Sequence, residues 1–354
     1  ATMKLLKLPF LVQTVIFNQL DFDDVFLLSL TSTKMLIVLQ MVSWKHIKAI
    51  SYKARRTHTS VFAVKSQEDS PKMLELRPSM AMSKETQQSV RCSEYNMTYC
   101  WSSDTNILVV TFDEKTIVPT VQFVHQHISS LFGSHLQHGC TLLSYDLMFL
   151  PAILPITSNV LISHLVMVPT LLDAFISKME NQEYLTMKNQ MRDLPLFNVK
   201  FITCKHLSFI NAYTLAPEIL SRFEGQTVVM YNAIMEDATI VKFVANWQKE
   251  NFAPNLKFLK LYLNFSHLFH PAVITNSLKI KTFSHSKRPP CFQYPVKNYF
   301  GAEETLLKHD LVVTTYVVRE TDKVVASISV SEDRFDFCVW EWNETQMKEM
   351  GYIE

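Results

Sequence analysis

Glycine is the residue that most limits what this chain can fold into, because only five of its 354 residues are glycine. An average chain contains about 7% glycine. Phosphate-binding loops and dinucleotide-binding turns need glycines at short fixed spacings, so that the backbone can turn sharply and approach the phosphates. No two glycines here lie fewer than six positions apart, and none precedes Lys-Ser or Lys-Thr. The sequence therefore argues against nucleotide chemistry of these two kinds.

The composition is typical of an ordered protein with a large core. Apolar residues make up 48% of the chain and charged residues 19%, so disorder is not expected. At roughly 150 residues per domain, the length predicts two or three structural units. The formal net charge is +1, which gives no overall attraction to nucleic acid or to an anionic membrane. We therefore expect neither as a partner.

The cysteines and the N-terminal residues indicate an intracellular protein, cytoplasmic, nuclear or both. Six cysteines in 354 residues are too few for a disulfide scaffold, and none forms a Cys-x-x-Cys pair. The apolar N-terminal stretch lacks the small-residue cleavage site of a signal peptide. Residues 147–172 contain no Lys, Arg, Asp or Glu and are long enough to span a bilayer. Three prolines interrupt them, which predicts a broken buried segment instead.

Residues 1–46 contain more apolar surface than so short a segment can bury. Apolar residues at three- and four-residue spacing predict a first helix, with Pro9 in its first turn. Asp21 is expected to begin a second helix and Ser32 or Thr33 a third. The second helix is expected to bury Val25, Leu27 and Leu28. About 40 residues cannot bury three such helices alone, so some of this surface is expected to contact another chain or the next domain.

Residues 47–89 are predicted to be a junction and a polar linker. Residues 25–67 include seven Lys or Arg and no Asp or Glu. This pattern favours a solvated face near an acidic partner, with a nucleic-acid patch as the alternative. Residues 66–89 are polar and contain two prolines, which predicts a loop.

Residues 90–270 alternate between strand-like and helix-like segments and are predicted to form irregular βα units similar to leucine-rich repeats. The pattern Leu-x-x-Leu-x-Leu-x-x-Asn/Cys is matched in full over 256–264, and with apolar substitutions from Leu196 to Cys204. Partial matches begin at Ile162 and Thr227. The intervals of about 28 to 34 residues suit a strand followed by a helix. Ordinary strands of an α/β domain are the alternative.

Residues 271–354 are predicted to close the fold with an antiparallel meander. Its three strands are expected at Leu311–Val318, Val324–Val330 and Phe335–Trp340, with polar turns between them. The predicted fold class is therefore α/β, or α+β overall: three N-terminal helices, βα units, and a C-terminal antiparallel β meander.

No catalytic arrangement is evident in the sequence. Four histidines and Cys140 lie within residues 125–140, and zinc prefers such ligands. His125 and His127, however, would lie on different faces of a helix. The chain also lacks His-Glu-x-x-His and Gly-x-Ser-x-Gly motifs. We therefore expect no catalytic residues, no metal and no cofactor.

Two parts of the chain carry residues that resemble a known family. The N-terminal part carries Leu8-Pro9-Phe10-Leu11-Val12, Val15-Ile16, Leu20-Asp21 and Leu27-Leu28-Ser29-Leu30. The C-terminal part carries Asn198–Leu207, Glu236–Leu263 and Asp310–Trp340. These two sets resemble the F-box and the C-terminal F-box-associated domain of the nematode F-box proteins. The turn at Thr321-Asp322-Lys323 lacks the glycine usual in that family.

The resemblance implies a non-enzymatic substrate receptor of an SCF-type cullin-RING ubiquitin ligase. Such a receptor binds a Skp-type adaptor, and through it a cullin, with its F-box, and a target protein with its C-terminal domain. The expected adaptor-binding residues are Leu8, Pro9, Leu11, Val12, Ile16, Leu27, Leu28 and Leu30, about half of which are expected to be buried. An excess of apolar helix surface suits a partner groove. The alternative is a repeat-type protein-interaction module without ligase association.

Overall fold

The computed structural model describes most of the chain, in stretches separated by gaps. The described residues are 5–65, 69–79, 87–92, 95–102, 104–113, 115–134, 136–143, 154, 159–162, 183–188, 203–249, 252–287, 289–290, 292–297, 304–309 and 314–354. The chain divides into two compact units, Ala1–Val160 with Lys297–Glu303 and Leu161–Val296 with Glu304–Glu354. Each unit contains helices and strands, so the prediction of a mixed α and β fold is confirmed. The boundary near residue 160 differs from the predicted ones at 46, 89 and 270.

The first unit combines helices with a mixed sheet. Its helices are α1 (Phe10–Phe17), α2 (Phe22–Thr31), α3 (Thr33–Gln40) and α4 (Ile117–Phe132), preceded by a 3₁₀ turn at Leu5–Lys7. Its strands are β1 (Ala49–Ala54), β2 (Thr59–Val64), β3 (Lys72–Pro78), β4 (Gln88–Cys92), β5 (Tyr95–Trp101), β6 (Leu108–Phe112) and β7 (Gln137–Leu142). Their order is β7-β1-β2-β3-β6-β5-β4. The β1–β7 and β3–β6 pairs are parallel, and the other pairs are antiparallel. A short strand, β8 (Asn159–Ile162), follows.

Residues 47–89 do not form the polar linker that the sequence predicts. They contain β1, β2, β3 and the first part of β4, and β3 buries Met73, Leu74 and Leu76 together with Glu75. The Glu75 carboxylate accepts hydrogen bonds from Lys72 Nζ and Arg77 Nε, each at 2.7 Å. Because these cations compensate the buried charge, a strand that contains three charged residues can still contribute to the core.

Helices α2 and α3 pack on α4 within the first unit. The ring of Phe132 meets those of Phe22 and Trp44 edge-on, at centroid distances of 5.7 Å and 5.3 Å. Gln40 Nε2 donates a hydrogen bond to Ser130 Oγ at 2.7 Å. The helices therefore share a core with the rest of the unit, which relieves part of the apolar excess noted in the sequence.

The buried face of α2 differs from the predicted one. Val25 is buried as expected, whereas Leu27 and Leu28 are only half-buried. The inward-facing residues are Phe22, Val25, Phe26, Ser29 and Leu30. The aromatic rings of this face meet α4, where the Phe26 ring lies 5.4 Å from that of His127. Burying the large rings of Phe22 and Phe26 removes more apolar area from water than burying Leu27 and Leu28 would. The aromatic face of α2 therefore packs on the core.

The second unit joins parallel strands to an antiparallel meander. The remaining helices of the chain are α5 (Ala216–Arg222), α6 (Asp237–Lys249), α7 (Pro271–Ser277) and α8 (Glu344–Glu349). The remaining strands are β9 (Tyr184–Met187), β10 (His206–Phe209), β11 (Thr227–Ala233), β12 (Phe258–Leu263), β13 (Lys281–Thr282), β14 (Phe292–Lys297), β15 (Glu304–His309), β16 (Thr315–Val318), β17 (Val324–Val330) and β18 (Arg334–Asn343). The order is β9-β10-β11-β12-β18-β17-β16-β13, while β14 and β15 pair separately. Strands β9 to β12 are parallel, and the rest of the larger sheet is antiparallel.

Two of the three steps between the parallel strands are shorter than the sequence predicts. His206 lies opposite both Tyr184 and Thr227, and Thr227 lies opposite Phe258, so the steps are 22, 21 and 31 residues. Cys204 lies two residues before β10. Residues 196–202 of the predicted match lie outside the described residues.

Two asparagines link successive parallel strands at their carboxyl ends. Asn232 Nδ2 donates to Ile210 O at 3.1 Å and to Asn211 Oδ1 at 3.0 Å. Asn211 Nδ2 donates to Lys188 O at 3.0 Å. Each amide therefore donates to a backbone carbonyl of the residue that directly follows a strand. The sequence signal for these positions is an apolar-x-apolar-x-Asn pattern, shorter than the pattern we predicted.

The C-terminal meander is confirmed in the described residues. Strand β17 pairs antiparallel with both β16 and β18, and residues 311–313 of the predicted first strand lie outside the description. Strand β18 also pairs antiparallel with β12, which joins the meander to the parallel strands. Trp340 is buried and donates from Nε1 to Ser327 Oγ at 2.8 Å.

The turn between β16 and β17 places Lys323 in the left-handed region, with φ +62°. The Asp322 carboxylate fixes this turn by accepting from Arg319 Nε at 2.9 Å and from the backbone N–H of Val324 at 3.1 Å. The Arg319 guanidinium lies 5.1 Å from the ring centroid of Trp247. Glycine is the residue that favours this conformation, and its absence here leaves backbone strain in the turn.

We expect Lys323→Gly to stabilise the protein slightly. Relief of the left-handed strain, about 1 kcal/mol, exceeds the added entropy of a glycine in the unfolded chain, so the net gain is roughly 0.5 kcal/mol. Thermal unfolding of the full chain measures it. Lys323→Ala is the matched control, because it removes the side chain and keeps the strain. A lower melting temperature for Lys323→Gly than for Lys323→Ala would contradict the prediction.

Candidate functional site

Helix α1 turns most of its apolar side chains towards solvent. Leu11 is 78% exposed and Val15 64% exposed, and Phe10 and Val12 are exposed as well. The buried residues of this helix are Gln13 and Phe17. A surface helix ordinarily buries its apolar side and exposes its polar one, so this arrangement is inverted.

Hydrogen bonds to the preceding turn explain why Gln13 faces inward. Its Nε2 donates to Leu8 O at 2.7 Å and to Leu5 O at 3.3 Å. The helix starts at Phe10, with Pro9 as its N-cap residue instead of in its first turn as predicted, and Pro9 O accepts from the backbone N–H of Gln13 at 3.1 Å. Because the buried amide is satisfied, the inward position of Gln13 is stable and the apolar residues are left outside.

Helix α3 exposes two more large apolar side chains. Ile37 and Met41 are each more than half exposed, while Met35 and Leu39 of the same segment are buried. Ser32 caps the helix as predicted, since its Oγ accepts from the backbone N–H of Met35 at 3.2 Å. We call the exposed apolar residues of α1 and α3 the N-terminal apolar surface; they are Phe10, Leu11, Val12, Val15, Ile37 and Met41.

The predicted adaptor-binding residues have three different environments. Pro9, Leu11 and Val12 are exposed. The half-buried ones are Leu8, Ile16, Leu27 and Leu28. Leu30 is only 8% exposed, so it belongs to the core of the first unit and is not available for docking. Four exposed residues were missed; they are Phe10, Val15, Ile37 and Met41. Four-residue spacing, which pairs Val15 with Leu11 and Met41 with Ile37, is the signal that finds three of them.

One group of carboxylates in the described residues is close enough to hold a cation. The side chains of Asp21, Asp23 and Asp24 bring ligand atoms within 4.8 Å of one another. Burial raises the pKa of Asp23, and carboxylates in the first turn of a helix are favoured by its dipole. Helix stabilisation therefore accounts for these residues, and we assign no metal to them.

The histidine cluster makes hydrogen bonds within the first unit. His125 Nδ1 lies 2.8 Å from Tyr52 Oη, and His127 Nε2 lies 2.6 Å from Ser29 Oγ. The His138 ring packs on His125 with centroids 4.6 Å apart. His135 lies outside the described residues. The contacts of His125 and His127 support a structural role for this cluster.

The chain matches no family model, no curated protein and no solved structure. Among the residues that the structure describes, no helix has both the length and the apolar character that crossing a bilayer requires. Most of the apolar segment 147–172 lies outside those residues, so the structure does not test the prediction that this segment is buried. The functional argument therefore rests on the N-terminal apolar surface and on the chemistry of the second unit.

Proposed function

We propose that this chain is the substrate receptor of an SCF-type cullin-RING ubiquitin ligase, acting without catalytic residues of its own. It binds a Skp-type adaptor through α1 to α3, and through that adaptor a cullin, in the cytoplasm or nucleus. The observation that carries the proposal is the outward apolar face of α1, where Leu11 and Val15 are mostly exposed while Gln13 is buried.

The N-terminal apolar surface suits a groove on a partner protein. Full burial of a Leu or Val side chain stabilises a complex by about 1.5–3 kcal/mol, and an amphipathic helix laid in a groove is a common mode of recognition. Four side chains of α1 and two of α3 are exposed. Helices α2 and α3 pack on α4 through Phe22, Gln40 and Trp44. This core holds the α3 part of the surface in place before the partner arrives.

The second unit supports the proposed receptor role through its repeat-like strands. Strands β9 to β12 are parallel, and Asn211 and Asn232 link β9, β10 and β11 at their carboxyl ends. This arrangement is similar to leucine-rich repeats, which stack strands to build extended binding surfaces. We therefore assign capture of the target protein to this unit.

Co-expression of the full chain with a Skp-type adaptor tests the proposal. We expect a 1:1 complex that survives gel filtration and then binds a cullin. Buffer without detergent and a tag on only one protein exclude trivial co-elution. If the two proteins elute separately at tens of micromolar concentration, the ligase assignment is wrong.

A repeat-type interaction module without ligase association is the second candidate. It is favoured by the contacts of Phe22, Trp44 and Gln40 with α4, because these contacts bury the helices within the chain itself. A chain that is monodisperse alone and unchanged by added adaptor would select this candidate.

A further inference from the structure

The loop after β12 and the helix α7 that follows it carry a second group of exposed apolar side chains. Phe265 is 93% exposed, and Leu268 and Val273 are each more than half exposed. Phe269, in the same loop, is buried. Exposed apolar residues that cluster in one segment are characteristic of interaction sites, whereas single ones are common everywhere.

Hydrogen bonds hold this loop in a defined shape. Asn264 Oδ1 accepts from the backbone N–H and from Oγ of Ser266, at 3.2 Å and 2.8 Å. The backbone N–H of His267 donates to Asn264 O at 2.8 Å. Together with the buried Phe269, these hydrogen bonds fix the loop. Phe265 is therefore exposed within an ordered loop.

Two neighbouring segments lie directly against the loop. The backbone N–H groups of Leu263 and Phe269 donate to Asp333 O and Glu332 O, both at 2.8 Å. His270 binds the start of α6, with its backbone N–H 3.0 Å from Asp237 Oδ1 and its Nδ1 2.8 Å from Oδ2. The β17–β18 turn and the start of α6 therefore border the exposed apolar residues.

These bordering segments are acidic. Residues 231–237, 262–273 and 331–334 together contain four carboxylates, one arginine and no lysine. The arginine, Arg334, is itself engaged, since its Nε lies 3.0 Å from the buried carboxylate of Asp336. The chain as a whole has a net charge of +1, so the negative charge is a local property of this surface. We call these three segments the acidic apolar site.

We propose that the acidic apolar site binds a segment of the target protein in which apolar side chains are flanked by Lys or Arg. The apolar side chains of that segment cover Phe265, Leu268 and Val273, and its cations meet the exposed carboxylates of Glu332 and Asp333. Complementary charge at the rim of an apolar contact gives specificity and raises the association rate. This inference rests on the proposed receptor function and specifies the chemistry of its substrate.

A peptide selection on the full chain tests the inference. A phage library of random 12-residue peptides is selected on the immobilised protein, and enriched peptides are titrated by fluorescence polarisation. We expect enrichment of Lys or Arg next to Leu, Ile or Phe. Affinity should fall at least tenfold in Phe265→Ser/Leu268→Ser and in Glu332→Lys/Asp333→Lys. The control Glu349→Lys, which changes an exposed carboxylate outside the three segments, should bind normally.

Three results would overturn the inference. They are the absence of enriched peptides, enriched peptides without basic residues, and wild-type peptide affinity in either double variant. Dissociation of a homodimer by Phe265→Ser/Leu268→Ser would also overturn it, because the site would then bind a second copy of the chain. Adaptor binding is measured on the same samples. A wild-type chain that binds the adaptor but enriches no such peptide contradicts only this site, and a wild-type chain that enriches these peptides but does not bind the adaptor contradicts only the ligase assignment.

Discussion

Replacing both Leu11 and Val15 with aspartate is expected to abolish adaptor binding and to leave the fold intact. Both side chains are mostly exposed in the free chain, so the change removes little packing within the protein. In the proposed complex, two carboxylates would enter an apolar groove without partners, which is strongly unfavourable. We expect an affinity loss of at least 100-fold, which corresponds to about 3 kcal/mol.

Two control variants make this result interpretable. Ala238→Asp/Lys242→Asp places the same charges at the same four-residue spacing on exposed positions of α6, and it should bind the adaptor normally. Leu30→Asp should also abolish binding, but with loss of the cooperative thermal transition, because Leu30 is buried. Isothermal titration with the purified adaptor, paired with thermal melts, distinguishes these effects. Normal affinity for Leu11→Asp/Val15→Asp would place adaptor docking elsewhere.

The sequence predicted the three N-terminal helices but not which way they face. Helical periodicity and caps such as Ser32 are local signals, and the Ser32 cap is present. The buried face depends on distant partners: Phe22 and Phe26 turn inward because α4 lies there. Gln13 turns inward because it binds carbonyls of the preceding turn. Hydrophobic patterning in a single sequence predicts that a glutamine is exposed. The outward apolar face of α1 therefore could not be predicted.

Charge patterns misled the prediction for residues 47–89. Strand β3 contains Lys72, Glu75 and Arg77, and three charges within six residues indicate a solvated loop. In the structure these side chains neutralise one another, while Leu74 and Leu76 face the core. The alternation of Leu74 and Leu76 was the correct signal for a strand. The charged residues among them concealed it, because their ion pairs form only in the folded chain.

The sequence predicted some parts of the repeat-like region and of the docking surface and missed others. The match from Leu256 to Asn264 falls on β12, because a long leucine pattern is a strong signal. The shorter apolar-x-apolar-x-Asn pattern before Asn211 and Asn232 was missed, since it lacks the leading leucines. The exposure of Leu11 agrees with the predicted apolar excess, but the location of the acidic apolar site depends on contacts between distant segments and could not be inferred from spacing.

Acid is expected to destabilise the first unit as the pH falls below 6.5, because two histidines are buried there in neutral form. Burial lowers the pKa of His125 and of His138 to about 4, from an ordinary value of 6.5. Proximity of the two rings adds to the effect at His138. His125 Nδ1 lies 2.8 Å from Tyr52 Oη, whose own pKa is raised by burial. Burial also raises the pKa of Cys140, so the Tyr52 hydroxyl and the Cys140 thiol stay uncharged.

The lowered pKa values fix the direction and range of this effect. Between pH 6.5 and about 4, the unfolded chain binds protons at these histidines and the folded chain does not. Stability is therefore complete above pH 6.5 and falls as the pH decreases towards 4. Each histidine can remove roughly 3 kcal/mol over that range. Two of them together remove an amount comparable with the whole stability of a typical domain, about 5–15 kcal/mol.

Urea unfolding at a series of pH values, followed by tryptophan fluorescence, measures this loss. The buried Trp44 reports on the first unit. His125→Asn and His138→Asn should each be less stable at pH 7, because packing is lost. Each should also reduce the slope of stability between pH 6.5 and 4.5 by up to about 1.4 kcal/mol per pH unit. His285→Asn, which makes the same replacement at an exposed position, is the matched control. Since cavity effects are independent of pH, only the slope separates a titrating histidine from one that merely packs, and equal slopes in all variants would refute the prediction.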